Sequence, residues 1–343
     1  MTAPNIHQDR AAGRFASQQS PVSRFLQTPY AGALISIILV ALFLAFTQPV
    51  FATWANAMNI VRSNSVVFIL ALGATCVVIA GAIDLSVASL TAACSMVYGL
   101  LMVAGLPALP ALLLIVAFGA LLGAINGYFI SYLKISYLVV TLGTLSIYQS
   151  FALILNSGTS ISVFSFEAFK PLYAFVNGNI GPIPVLLLLD AVLLLILGGT
   201  LKYTGLGRAI FAIGSNREAA RLNGINVPLV VMGVFIIAGL MAGIGSLVQI
   251  GRLTSAAADV DPTVLMTVLA AVLIGGTAFT GGEGGVFGTM IGVLFLGVVQ
   301  NGLTLSGVSS FWQGMVSGSI LIFAVWLGGV RQILRRKRHA GRS

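Results

Sequence analysis

Long uncharged stretches are the feature of this sequence that most restricts its fold. The chain runs 49 residues without Asp, Glu, Lys or Arg between Asp84 and Lys134, and 47 between Glu283 and Arg331. Only 7% of its residues are charged and 58% are hydrophobic, whereas roughly a quarter of the residues in soluble domains are charged. We therefore predict an all-α membrane protein, because helices satisfy their own backbone hydrogen bonds inside a bilayer.

The spacing of the charges predicts the number of membrane-spanning helices. A span needs about 20 apolar residues, and a charge at its centre costs at least ~2.5 kcal/mol. Uncharged intervals follow one another from Arg24 to Arg331, and the two longest must each hold two spans. This count predicts about ten transmembrane helices.

The 17 Lys and Arg residues predict the orientation of the chain. With ten alternating spans, 14 of these cations share a side with both termini, and only Arg62, Lys170 and Arg252 fall opposite. Cytoplasmic loops carry the excess of Lys and Arg, so both termini are expected in the cytoplasm. The net charge of +9 is then an orientation signal. No nucleic-acid partner is expected, because the cations lie in short loops and tails rather than on one folded surface.

Missing motifs exclude several kinds of chemistry. The sequence has no GxxxxGK[ST] phosphate loop, and His7 and His339 lie outside the predicted spans. ATP hydrolysis by that route, histidine metal clusters and a Ser-His-Asp triad in the membrane are therefore not expected. Cys76 and Cys94 fall within apolar spans and are expected to be small buried residues. We expect neither an enzyme nor a cofactor, which leaves a transporter subunit, a channel or a receptor.

The longest loop between predicted spans, residues 205–227, is predicted to contain one short helix. Ser215 and Glu218 have capping-box spacing, and Asn223-Gly224 is typical of a left-handed helix stop. Little more than two turns lie between these signals, which is marginal in water alone. Two interpretations are open: a connector on the membrane surface, or a docking helix that a soluble partner grips.

Four sequence blocks resemble the permease of bacterial ATP-binding cassette (ABC) importers for sugars of the ribose, xylose and galactose type. The blocks are GAIDLSVAS at 81–89, NGYFISYLKISYLVVTLGT at 126–144, GRAIFAIGSNREAARLNGI at 207–225 and LIGGTAFTGGEGGVFGTMIG at 273–292. The resemblance extends from about Ala31 to Gly329. It implies a permease domain over 31–329 in the inner membrane, between a cytoplasmic tail at 1–30 and a basic cytoplasmic tail at 330–343.

The resemblance also implies partners. It identifies a coupling helix seated in a cleft of a separate cytoplasmic ABC ATPase subunit, formed by Ser215, Asn216, Arg217, Glu218, Ala219, Ala220, Arg221, Leu222, Asn223 and Gly224. A periplasmic sugar-binding protein delivers the sugar substrate to the outer face. A second permease subunit is implied because the ATPases of this family act in pairs. The sequence leaves homodimer or heterodimer, and the identity of the sugar, open.

A polyhydroxylated solute needs hydrogen-bonding groups along its route. The candidate translocation path comprises Asp84, Ser86, Asn126, Thr141, Thr144, Gln149, Gln300 and Asn301. The amides and hydroxyls have the alternative role of interhelical hydrogen bonding. Asp84 has its own alternative, which is to cap the following helix through the amides of Ser86 and Val87. In the functional interpretation, Asp84, Ser86 and Ser89 mark a broken-helix region near the translocation path.

Asp190, in the middle of LLLLDAVLLL, is an intramembrane acid and so a functional candidate by default. A protonated or interface-facing carboxyl is an equal alternative. An ion-coupled secondary transporter should carry several such groups at the midplane, so an importer energised by a separate ATPase is favoured. The ion-coupled transporter and the related permease for branched-chain amino acids remain as alternatives.

Two further patterns concern the arrangement of the spans. Spans two to five and seven to ten start from opposite sides, which is compatible with an inverted repeat. Glycines recur at four-residue spacing, which favours close helix packing in lipid; they are Gly119, Gly123 and Gly127, then Gly284, Gly288 and Gly292, and Gly314 with Gly318. The alternative for the turn over 275–288 is flexing during transport.

Overall fold

The computed structural model describes residues 30–259, 263–309, 312–316 and 318–323. The predictions for the two tails, 1–30 and 330–343, concern residues that lie outside these ranges, Tyr30 excepted. In chain order the helices are α1 (Ala31–Thr47), α2 (Trp54–Ile79), α3 (Val87–Val103), α4 (Ala108–Ser131), α5 (Tyr137–Leu155), α6 (Lys170–Asn177), α7 (Val185–Tyr203), α8 (Gly205–Ser215), α9 (Arg217–Leu222), α10 (Val227–Leu253), α11 (Thr263–Ile274), α12 (Val286–Leu305) and α13 (Trp312–Phe323).

Six of the described helices are long and apolar enough to cross a membrane, namely α2, α4, α5, α7, α10 and α12. The apolar helices α1, α3, α11 and α13 are shorter, with 10–17 residues each. These ten helices follow one another in the predicted order, but three of them run past the charges that were expected to lie between spans: α2 contains Arg62, α7 contains Lys202 and α10 contains Arg252. The short α6, α8 and α9 lie in the connections between them.

Two small antiparallel ladders complete the described fold. Strand β1 (Ile161–Ser162) pairs with β4 (Ser255–Ala256), and β2 (Asn179–Ile180) pairs with β3 (Ile183–Pro184) to form a hairpin. The hairpin lies beside the start of α2, where Trp54 Nε1 donates to the carbonyl of Pro182 at 3.2 Å. We call this end of the bundle the hairpin end. The other end of α2 meets α8, next to α9, and is called the α9 end.

The central contact of the bundle joins α4 and α10 through glycine. A Cβ atom added to Gly123 would lie 2.2 Å from the carbonyl oxygen of Phe235, and one added to Gly239 would lie 2.1 Å from that of Gly119. A Cβ atom added to Gly127 would lie 2.8 Å from Met232 Cα, so the two helices run antiparallel with their backbones in contact. Such approach is how helices associate in lipid, where no hydrophobic force drives them together. The packing role predicted for this glycine series is confirmed.

The two other predicted glycine series differ in how closely they pack. A Cβ atom added to Gly288 on α12 would lie 2.0 Å from the carbonyl oxygen of Gly275, and one added to Gly292 would lie 2.0 Å from that of Ala271. These contacts confirm close packing of α12 against the end of α11. In the third series, a Cβ added to Gly314 would lie 3.1 Å from Thr263 Cγ2, whereas one added to Gly318 has no neighbour within 4 Å among the described residues. The packing role predicted for Gly318 stays a prediction.

Replacing Gly123 by Ala should lower the free energy of unfolding by about 1–3 kcal/mol, because the added methyl forces α4 away from α10. Gly233→Ala on α10 is the matched control, since nothing lies within 4 Å of its added Cβ. The control should change the stability by no more than about 1 kcal/mol, in the stabilising direction. Thermal unfolding of both variants in one detergent measures the difference, and equal shifts of Tm would contradict the packing role.

Candidate functional site

The segment between α2 and α3, residues 80–86, turns back into the helix bundle. α2 ends at Ile79, and Gly81 adopts φ +79°, a left-handed conformation that suits glycine. Ser86 then accepts a hydrogen bond from Asn126 Nδ2 at 2.8 Å. Asn126 precedes the end of α4 at Ser131 by five residues, which places it about 8 Å inside the α9 end. Asp84 and Ser86 therefore lie within the bundle and not at its surface.

Four buried side chains form a polar network around this segment. Asp84 Oδ1 accepts from the backbone amide of Ser86 at 2.8 Å and from its hydroxyl at 2.6 Å. The Tyr148 hydroxyl lies 3.2 Å from Asn126 Oδ1 and 3.0 Å from the carbonyl of Leu122. None of the four side chains is more than 4% exposed. The network joins the start of α3 to α4 and α5, and buried networks of this kind fix a unique arrangement when every member is satisfied.

Each interpretation of Asp84 has one observation in its favour. Of the two amide bonds expected for capping, the bond from Ser86 is present, but Ser86 precedes the first residue of α3, and the described contacts include no bond from the Val87 amide to Asp84. The functional interpretation expects a helix broken at bundle depth, and α2 and α3 are interrupted at that depth. Backbone outside a helix is tolerated at that depth where it faces protein or a water-filled cavity. Sequence reasoning missed Tyr148, because an aromatic residue in an apolar span carries no distinctive signal.

A second segment, residues 254–259, enters the bundle from the hairpin end. The amide of Ala257 donates to Ser95 Oγ at 3.3 Å, and Gln149 Nε2 donates to the carbonyl of Ala258 at 2.8 Å. Ser95 lies eight residues before the end of α3 and Gln149 six before the end of α5, so the contacts lie about 9–12 Å deep. The segments at 80–86 and 254–259 thus approach α3 and α5 from opposite ends.

The remaining predicted path residues occupy other positions. Thr141 and Thr144 lie on the buried stripe of α5, where their hydroxyls donate to carbonyls of their own helix at 2.8 and 3.0 Å. Asn301 forms a reciprocal amide pair with Asn56 at 2.9 Å, which links α12 to α2. Gln300, next to it, is half-buried. The structure therefore places Gln300 and Asn301 near the hairpin end, away from the Asp84 network.

Asp190 makes an interhelical contact. The Ser65 hydroxyl on α2 donates to Asp190 Oδ1 on α7 at 2.8 Å, and both side chains are buried. A serine within a helix gives no signal of such a role in the sequence. With Asp84, Asp190 makes two buried carboxyl groups in the described chain, each bonded to a serine.

The connection over 205–227 contains two helices rather than the single one predicted. Thr204 caps α8 by accepting from the Gly207 amide at 3.1 Å, and Asn216 caps α9 by accepting from the Ala219 amide at 2.9 Å. The predicted capping box starting at Ser215 is wrong, because Ser215 is still the last helical residue of α8 and the extended residue is Asn216. The predicted stop is confirmed, since Gly224 has φ +80°.

Helix α9 is exposed over nearly all of its surface. Ala220 is buried, whereas Leu222 is 74% exposed. Glu218 pairs with Arg221 at 2.5 Å, and this hydrogen bond lowers the pKa of the Glu218 carboxyl, so the pair stays charged at neutral pH. Of the predicted coupling residues, the first, Ser215, thus belongs to α8, and Arg217–Leu222 form a short exposed helix with one apolar side chain standing out.

Ser86→Ala should lower the stability by about 1–3 kcal/mol, because it leaves Asp84 and Asn126 without their shared partner. Ser89→Ala is the control: Ser89 is also buried but bonds only the nearby Ser86 carbonyl among the contacts observed, at 2.9 Å. Its loss should be smaller, about 1 kcal/mol. Thermal unfolding in detergent ranks the two, and a larger loss for the control would contradict the network.

Comparison with known proteins bears on the whole chain. A family model described as "Branched-chain amino acid transport system / permease component" matches residues 56–325. The D-allose transport system permease protein of Escherichia coli is 34% identical over 91% of this chain and 95% of its own length. The ribose import permease protein of the same species is 31% identical, over 88% and 94%. No solved structure matches the chain.

A further relative, a probable ABC transporter permease protein of Sinorhizobium fredii, is 33% identical over 95% of this chain and 96% of its own length. These matches cover both polar re-entrant segments and the helices on either side of them. The apolar helices and the family together make this a multi-pass membrane protein of the inner membrane. The chain belongs to the permease family of ABC importers.

Proposed function

We propose that this chain is the membrane-spanning permease subunit of an ABC importer that moves a sugar across the inner membrane. The observation that carries the proposal is identity of 31–34% over about nine-tenths of the chain with permeases named for ribose and allose. The family description names branched-chain amino acids. The sugar is favoured because the relatives that match almost end to end carry sugar names.

Ten transmembrane helices are part of the proposal. The described lengths of α1, α3, α11 and α13, 10–17 residues each, are below the about 20 residues of a typical span. α3 follows the re-entrant segment at 80–86, so extended chain replaces its missing first turns. The segment at 254–259 precedes α11 in the same way. This correspondence supports an inverted repeat of α2–α5 and α10–α13, since the two segments enter from opposite ends.

The proposed orientation places the α9 end and both termini in the cytoplasm. The bias of 14 cations against 3 supports it. In this orientation α9 is exposed to a cytoplasmic ABC ATPase, with residues Ser215–Gly224 as the contact region. The hairpin end faces the periplasm, where a sugar-binding protein docks.

A second permease subunit is proposed to cover α5. One face of that helix is exposed and carries Gly143, Ser146 and Ser150, with open space at Gly143. Small and hydroxyl-bearing residues let another helix approach closely, or face water. The sugar path is proposed to lie along the inner face of α5, where Gln149 contacts the segment at 254–259 and Tyr148 connects to the segment at 80–86 through Asn126. Alternating movement of the two segments would open the path to one side at a time.

Reconstitution tests the energy source. Liposomes with the permease alone should not accumulate sugar under a proton or sodium gradient, whereas addition of the ATPase, the binding protein and ATP should produce uptake. The structural reason is that Asp84 and Asp190 are each already bonded to a serine hydroxyl. Gradient-driven accumulation by the permease alone would establish the ion-coupled alternative instead.

Replacing Leu222 by Ser should weaken co-purification with the ATPase, by about tenfold in affinity if the side chain enters an apolar pocket of the partner. The fold should not change, because 74% of the side chain is exposed. Leu206→Ser on the adjacent α8, at 37% exposure, is the control and should retain binding. Unchanged association and uptake in the Leu222 variant would count against α9 as the coupling helix.

A further inference from the structure

The end of α2, the end of α8 and the loop after α11 meet backbone to backbone at the α9 end. The amide of Gly282 donates to the carbonyl of Ile79 at 2.8 Å. A Cβ on Gly214 would lie 1.8 Å from that carbonyl oxygen, and a Cβ on Gly281 would lie 2.8 Å from Gly81 Cα. We call these five residues, Ile79, Gly81, Gly214, Gly281 and Gly282, the glycine junction.

The junction connects directly to the coupling helix. Ser215 follows Gly214, and its Oγ would lie 2.3 Å from a Cβ on Gly282. Only Asn216, the cap of α9, separates Ser215 from that helix. A displacement of α9 along the α8 axis therefore reaches the junction without crossing a flexible linker.

The junction also connects directly to the buried network. Gly81 begins the re-entrant segment, three residues before Asp84. Contacts between side chains absorb small displacements by changing rotamer, whereas backbone atoms in contact have no such freedom. Movement at Gly214 must therefore shift Ile79 and Gly81, and with them the segment that holds Asp84 and Ser86.

We propose that Gly214 is a positioning residue through which α9 sets the position of the segment at 80–86 and of the loop at 275–285. The proposal rests on the proposed function in one respect, that α9 receives the ATPase. It adds the route by which that contact reaches the buried network. It also assigns a role to the glycine-rich loop after α11, which is held to Ile79 by a hydrogen bond.

The test uses the reconstituted complex of permease, ATPase and binding protein with the Gly214→Ala permease. Co-purification with the ATPase should persist, because the exposed surface of α9 is unchanged. The ratio of sugar imported to ATP hydrolysed should fall about tenfold, within the range that contact networks carry between sites. Gly199→Ala, where nothing lies within 4 Å of the added Cβ, is the control and should keep the wild-type ratio.

A second measurement reports the position of the segment at 80–86 rather than the stability of the protein. Ala82→Cys, in a Cys76→Ala, Cys94→Ala background, places a single thiol in the segment at 80–86. Its rate of reaction with a maleimide should differ between the nucleotide-free and ATP-trapped complexes. The difference should vanish when Gly214→Ala is added, although a role in packing alone would leave it in place. An unchanged import ratio together with an unchanged ATP-dependent difference overturns the proposal.

A second variant covers failure of Gly214→Ala to assemble. Gly282→Ala, whose added Cβ would lie 2.3 Å from Ser215 Oγ and 2.8 Å from the Ser215 amide nitrogen, should also lower the import ratio. A wild-type ratio with Gly282→Ala overturns the proposal. Absence of ATP-driven uptake by the wild-type complex would contradict the proposed function instead, and the maleimide readout would still test the junction.

Discussion

Every backbone amide and carbonyl inside a bilayer needs a partner, and the rest of this structure depends on how that requirement is met where the helices break. At 80–86 the Ser86 amide bonds Asp84, and at 254–259 the amide of Ala257 and the carbonyl of Ala258 bond Ser95 and Gln149. These bonds let the chain leave helical structure at depth without the cost of several kcal/mol for each unsatisfied group. Two of the side chains predicted for the sugar path, Asp84 and Gln149, therefore also satisfy backbone groups that the fold leaves outside helices.

Two kinds of contact hold the bundle together: close backbone contacts at glycines and hydrogen bonds between buried side chains. Glycine contacts such as Gly123 with Phe235 bring backbones together and resist displacement, because no side chain can adjust. The network of Asp84, Ser86 and Asn126 is held by directional hydrogen bonds between side chains. In the function proposed, the glycine-packed helix pairs would move as rigid units while the segments at 80–86 and 254–259 shift between discrete positions.

Charge spacing predicted the order of the apolar helices but not their ends, since Arg62 lies within α2 and Arg252 within α10, where a long side chain near a helix end can reach a polar group. The depth of Asp84 could not be predicted, since the seven residues between α2 and α3 have no periodicity that distinguishes a surface turn from a re-entrant one. Capping was misplaced by one residue at Ser215, where Ser and Asn are equally good caps in sequence. The partner of Asp190, Ser65, was missed because side chains 125 residues apart meet only after folding.

The short α9 shows why a partner is required for the function proposed. A helix of six residues is not stable by itself in water. The buried Ala220 packs α9 against the bundle, whereas the backbone bonds around Gly224 only close the helix's own C-terminal end. The contacts of α9 with the rest of the described chain do not explain why Leu222, an apolar residue, is exposed. A docked ATPase would cover that side chain and gain a rigid connection to Gly214. The small contact of α9 with its own bundle therefore favours transmission along α8 over deformation of the bundle beneath it.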